Sequence, residues 1–182
     1  MNIERTQLIA DLKKQVQSAT DNVLGFRELD HSQLNFKKSA DSWSILECLE
    51  HLNRYGDFYL PEIEKQLINA PKSPEATVFS SGVLGNYFAN MMLPKDGKIS
   101  KMKTFKKMDP ANSNLSVTVL EKFVKQQERL QALLNLAADA DLTRIKTGIT
   151  LTSLLRFRLG DTFRFFVNHI ERHVRQATLV NN

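Results

Sequence analysis

The apolar positions of the chain fall into stripes at three- and four-residue steps, interrupted by one long stretch in which that rhythm fails. Leu8, Leu12, Val16, Ala19, Val23 and Phe26, with charges between them, predict a helix over residues 2–28. A loop carrying Leu34 and Phe36 then leads to Asp41-Ser42-Trp43-Ser44. Ser44 and Glu47 stand at capping-box spacing, and Ile45, Leu49 and Leu52 open a second stripe. This helix is expected to reach about Tyr59 and to kink or stop there before any continuation through Leu67, because Pro61 removes a helical hydrogen bond. From 71 to 113 the periodicity is broken by Pro71, Pro74, Pro94 and Pro110 and by Gly82, Gly85 and Gly97, with room for a short helix over 83–93. Val119, Leu120, Phe123, Leu130, Leu133 and Leu134 predict a third long helix over 115–137. After a connector, Phe163, Phe166, Ile170, Val174 and Ala177 predict a last one, with Asp161 as its N-cap. Four long helices with one long crossover connection, at about 71–113, specify an all-α four-helix bundle filling a single domain, 1–182.

Composition narrows the class. The 182 residues are 42% apolar and 25% charged, which fits one globular domain with a sizeable core. Seven glycines and five prolines are too few for a turn-rich all-β fold. The single cysteine, Cys48, excludes an intramolecular disulfide framework or a multi-cysteine zinc cluster. No apolar run approaches the roughly 18–20 residues of a spanning helix. Met-Asn-Ile-Glu-Arg-Thr at the start does not read as a signal peptide. The expectation is a reduced, cytoplasmic protein with no membrane partner. The net charge of +5 is localised: six lysines against Asp96 in 95–107, and six arginines with Lys146 against Asp161 and Glu171 in 144–182. The remaining body is acidic, and a loop of lysines is more often solvated than a nucleic-acid site.

The candidate chemistry lies in four histidines: His31, His51, His169 and His173. His31 sits in a polar loop. His169 and His173 are four apart on the last helix, so both imidazoles share one face a turn apart, where they can grip one metal, with Gln176 on the same stripe. By itself His-x-x-x-His is weak evidence. His51 lies beside the apolar side of the second helix, and it reads either as a ligand or as a half-buried ring bonded to Glu47 or to a backbone carbonyl.

The run Trp43-Ser44-Ile45-Leu46-Glu47-Cys48-Leu49-Glu50-His51-Leu52, followed by His169-x-x-x-His173-x-x-Gln176, resembles the DinB-like (YfiT-like) superfamily. The resemblance implies a four-helix bundle holding one divalent metal through His51, His169 and His173, with Trp43 anchoring the start of the second helix. Arg175 departs from the Gly that many members carry before the Gln, and the lysines of 95–107 are not part of the pattern. The resemblance further implies a homodimer.

Three neutral imidazoles suit Zn²⁺ or Ni²⁺ first, then Fe²⁺ or Mn²⁺, and leave positions open for water or substrate. Each ligating ring needs an acceptor for its other nitrogen. Glu47 is the best placed acid for that, and equally the capping-box residue. Tyr55, one turn after His51, could donate to a substrate or fill the bundle. Arg172 shares a face with His169 and could clamp a carboxylate or phosphate, whereas the other arginines read as solvated or salt-bridged. Cys48 reads as a small core residue. The function expected is transfer of a low-molecular-weight, bacillithiol-like thiol to an electrophile. The alternatives are hydrolysis by metal-activated water and a non-catalytic metal-binding or nucleic-acid-binding bundle.

Overall fold

The structure is a computed structural model that describes residues 1–94, 102–111 and 115–181. In chain order the elements are β1 (Asn2–Glu4), α1 (Arg5–Leu24), α2 (His31–Asn35), α3 (Ile45–Ile68), β2 (Val78–Ser80), α4 (Val83–Met91), α5 (Thr118–Leu136), β3 (Lys146–Ile149), β4 (Thr152–Arg158) and α6 (Leu159–Asn181). The four long helices close a bundle in which α3 packs on α5 and α6, and α1 packs on the same two. Leu12, Val16, Leu49, Ile63, Leu120, Phe123, Phe163, Phe166 and Ile170 are buried between them. Each such side chain contributes about 1.5–3 kcal/mol by leaving water. The bundle with one long crossover is the architecture that the apolar stripes predict.

Several boundaries differ from the sequence reading. The chain before α1 is a short strand, because β1 pairs antiparallel with β2 and sets Ile3 opposite Phe79. The helix then begins at Arg5, whose buried guanidinium donates to the carbonyls of Ser73 (2.8 Å) and Ala140 (3.2 Å). Helix α3 does not stop near Tyr59; it continues through Pro61 and Leu67 to Ile68. Pro61 and Asp57 lie on the exposed side, where water can take the carbonyl that proline leaves without a donor. Tyr59, Leu60, Ile63 and Leu67 meanwhile bury the opposite face on both sides of the proline. The connector before the last helix is a hairpin, with Lys146 opposite Arg158 and an irregularity after Gly148. It is fastened to α3 where Gly148 N donates to Glu62 Oε1 at 2.8 Å.

The crossover supplies α4, which packs against α6. Asp161 does not cap α6, which begins at Leu159. Its fully buried carboxylate accepts from Ser81 Oγ and, at 2.8 Å, from Gly82 N at the start of α4. Arg164, expected to be solvated or salt-bridged, is buried; it pairs with Asp161 at 3.4 Å and donates to Asn86 Oδ1 (3.0 Å) and Asn90 Oδ1 (3.1 Å) on α4. Asn168 Nδ2 adds a bond to the Ala89 carbonyl at 3.0 Å. The polar side of α6 is thereby satisfied inside the protein, and α6 is buried all round from Leu159 to Ile170. Among the described residues no helix is long and apolar enough to cross a membrane. Of the lysine-rich stretch, 95–101 lies outside the described residues.

The approach of α4 to α6 depends on Gly85, where a Cβ would lie 2.5 Å from the Asp161 side chain. Gly85→Ala is therefore expected to destabilise the protein by about 1–3 kcal/mol, despite alanine's better helix propensity. Gly25 has helical φ −61° and ψ −23°, and a Cβ there would meet nothing within 4 Å. Gly25→Ala should be neutral or stabilising, by up to about 1 kcal/mol. Urea unfolding of both variants checks this contrast; equal midpoints would contradict the packing account.

Candidate metal centre

The start of α3 is set by its cap. Ser44 Oγ accepts from Glu47 N (3.1 Å), and Glu47 Oε2 accepts from Ser44 N (2.9 Å), closing a capping box worth about 1 kcal/mol. The other carboxylate oxygen of Glu47 pairs with Lys37 Nζ at 2.7 Å. Glu47 is thus engaged in fixing the register of α3 and, through it, the position of His51 one turn later. Trp43, just outside the cap, lies over two of the histidines, with ring centroids 4.7 Å from His51 and 5.6 Å from His173.

His51 from α3 meets His169 and His173 from α6, and all three are buried, at 3%, 4% and 9% exposure. One ring nitrogen of each lies within 4.8 Å of the others, and among the described residues no Asp, Glu or Cys joins this group. The hydrogen bonds decide which nitrogens face inward. His51 Nδ1 lies 2.7 Å from the Met108 carbonyl, and His173 Nδ1 lies 3.0 Å from Gln176 Oε1. Both partners only accept, so each Nδ1 carries the proton and each Nε2 is left with a lone pair. His51 Nε2 then faces His169 Nε2 at 3.1 Å. Two ring nitrogens so close, buried together, need either a shared proton or a shared cation. The separation is near the roughly 3.3 Å edge of a tetrahedron with metal–nitrogen bonds of about 2.0–2.1 Å. The buried Nδ1 of His169 has no hydrogen-bond partner among the described residues. Without a cation, His169 must hold its proton on Nε2 to bond His51; as a ligand it would carry that proton on Nδ1 instead. The three inward-facing nitrogens, two of them oriented by a partner at Nδ1, are a donor set that fits a divalent metal, and the cluster could hold one.

The electrostatics agree. Burial pushes the His51 pKa down to about 4, against an opposing hydrogen bond to the Met108 carbonyl. His169 and His173 are held well below the ordinary histidine range, first by burial and then by neighbouring histidines and the Arg172 guanidinium. All three rings are neutral, ligand-competent bases at pH 7. Tyr55, 7% exposed, packs its ring 4.9 Å from His51 and 4.5 Å from His169, while Phe165 stacks on His169 at 5.8 Å. Burial pushes the Tyr55 phenol up to about 12, so it is a neutral wall and donor rather than a base. Burial also raises the Cys48 thiol far above its ordinary value, and Cys48 stays a core residue. Arg172, 4% exposed, is a buried cation beside His169 and His173. Glu171 and His31 are exposed, away from this cluster.

Sequence reasoning placed Gln176 on the histidine stripe but not the Met108 carbonyl, nor Trp43 and Phe165 as walls. The sequence model of the DinB superfamily matches residues 14–177, which takes in all three histidines, the whole of α3 and α5, the second half of α1 and all but the end of α6. No curated protein and no solved structure matches the chain.

The depressed pKa values fix the pH response of the metal-free protein. Its unfolded chain binds protons near pH 6.5 while the folded chain resists them to about 4, so stability is complete above pH 6.5 and falls as pH drops through that window. His51 alone accounts for about 3 kcal/mol of that loss. Urea midpoints in chelator from pH 7.5 to 4 check it, with His51→Gln flattening the profile; a wild-type curve level across the window would contradict it.

Proposed function

The chain belongs to the DinB superfamily, and from that membership and its three buried imidazoles we propose a divalent-metal-dependent enzyme that transfers a low-molecular-weight thiol to an electrophile. His51, His169 and His173 would hold the ion, with Zn²⁺ or Ni²⁺ matching an all-nitrogen donor set best. A divalent ion there supplies Lewis acidity that lowers the pKa of a thiol toward neutrality.

The observation that carries the thiol reading over hydrolysis is the state of the acids around the cluster. No carboxylate joins the group among the described residues, and the oxygens of Glu47 are engaged by its cap and by Lys37. Tyr55 does not ionise near neutral pH. A water nucleophile is helped by a positioned general base, whereas a thiol needs only to lose its proton to solvent before its sulfur attacks. In the net step the S–H bond breaks, the sulfur bonds to the electrophilic carbon, and the leaving group departs with its electron pair. Arg172 favours an anionic sulfur or a carboxylate-bearing thiol, and Trp43, Tyr55 and Phe165 exclude water from the rings.

Untagged protein is expected to bind about one equivalent of Zn²⁺ or Ni²⁺. His169→Ala should lose that metal, because an uncompensated two-ligand site remains. The loaded protein, given a small cysteine-containing thiol and a chlorinated dinitroaromatic, should form the S-conjugate at a rate that His169→Ala lowers at least about a hundredfold. Loaded protein that accelerates no conjugation with any of several thiols would overturn the transferase reading.

A further inference from the structure

The carbonyl that orients His51 comes from the crossover, on a 3-10 turn spanning Lys106–Met108, and nothing in that turn's own bonding fixes where the carbonyl points. Met108 N donates to the Phe105 carbonyl at 2.8 Å and Asp109 N to the Lys106 carbonyl at 3.3 Å, which closes the turn on itself only. The tie to α3 is made by Arg54. Its Nη1 donates to the Asp109 carbonyl at 2.8 Å and reaches the Lys107 carbonyl at 3.4 Å, the two peptide oxygens on either side of Met108. Its Nε is steadied by Glu50 Oε1 at 3.0 Å. Glu50 and Arg54 flank His51 on the same helix, one residue before it and three after.

We propose that Arg54 is a positioning residue for the metal ligand His51: by gripping the carbonyls of Lys107 and Asp109 it holds the Met108 carbonyl against His51 Nδ1 and so presents Nε2 to the cluster. The inference rests on the reading of His51 as a ligand. An arginine suits this task because its planar guanidinium holds Nε on Glu50 while Nη1 serves the two carbonyls, a fixed geometry that a lysine's single rotatable ammonium does not provide. The arrangement also makes the crossover answer to the site. A loaded His51 bonds Met108 more firmly, so metal should tighten the turn that carries Lys106 and Lys107.

The test compares metal-free and Zn²⁺-titrated wild type, Arg54→Ala, Arg54→Lys and His169→Ala. Arg54→Ala should weaken Zn²⁺ binding about 10–100-fold, the usual effect of losing a partner that orients a ligand. Arg54→Lys should recover only part of it. Because Arg54 is partly exposed, the metal-free urea midpoint should move by less than about 0.5 M, which separates positioning from folding. Nitrogen-15 spectra should show the protonated Nδ1 of His51 in wild type and a mixture of tautomers in Arg54→Ala. Zn²⁺ should slow tryptic cleavage after Lys106 and Lys107 in wild type but not in Arg54→Ala. If Arg54→Ala does not fold, Glu50→Gln, which loosens the same guanidinium, is read for the same changes. Wild-type affinity and an unchanged His51 tautomer in these variants would overturn the clamp while leaving the metal centre standing. Failure of wild type itself to bind Zn²⁺, Ni²⁺, Fe²⁺ or Mn²⁺ would overturn the metal reading, and the clamp's role with it.

Discussion

Three imidazoles buried against one another are the constraint around which this bundle is arranged. A buried polar ring without partners costs on the order of 1–3 kcal/mol per unsatisfied group, and here three share one pocket of the α3–α6 interface. Two are accommodated by hydrogen bonds at Nδ1, His51 with the Met108 carbonyl and His173 with Gln176 Oε1 one turn on. The third, His169, is left with one nitrogen facing His51 and the other facing nothing among the described residues. Such an arrangement is unfavourable for folding taken alone and favourable for binding a cation.

Holding those rings still requires that α3 and α6 be fixed in both register and rotation. The capping box of Ser44 and Glu47, braced by Lys37, sets where α3 begins. On α6 the same job falls to a polar layer: Asp161, Arg164 and Asn168, all upstream of the two histidines, are bonded to α4 and to Gly82 at its start. Hydrogen bonds are directional where apolar contacts are not, so this layer specifies one rotation of α6. The crossover is therefore a structural member twice over, clamping α6 with its first half and orienting His51 with its second.

This division explains what the sequence could reveal. The long helices, the capping box and the histidine spacing are local patterns, carried by residues within one or two turns, and they are legible as such. Pro61 was not legible in the same way, because its cost depends on which side of α3 faces water, and that follows from packing. The hairpin of β3 and β4 has too few apolar alternations to announce itself, and it is tied to α3 by bonds from Gly148 N to Glu62 and from Thr150 N to Tyr59. Asp161 and Arg164 look like surface residues until α4 covers them. The Met108 carbonyl lies furthest from view: a backbone oxygen has no signature in sequence, and this one acts on a ring 57 residues away.

The charge balance of the cluster bears on what it would accept. Three neutral ligands leave a divalent ion with its full double charge, in contrast to sites where a carboxylate or thiolate cancels part of it. Beside the ion, Arg172 would be a second source of positive potential, buried at 4% exposure, where water screens it poorly. A neutral molecule gains little from that field and an anion gains a great deal. The aromatic shell of Trp43, Tyr55 and Phe165 adds to the selection, because it strips solvent from whatever approaches. A soft anion that sheds its water readily is favoured there over a hard, strongly hydrated one. A thiolate answers that description better than hydroxide, which is the physical ground on which the proposed thiol transfer rests: the burial that makes the histidines costly to fold would also favour the softer nucleophile at a bound ion.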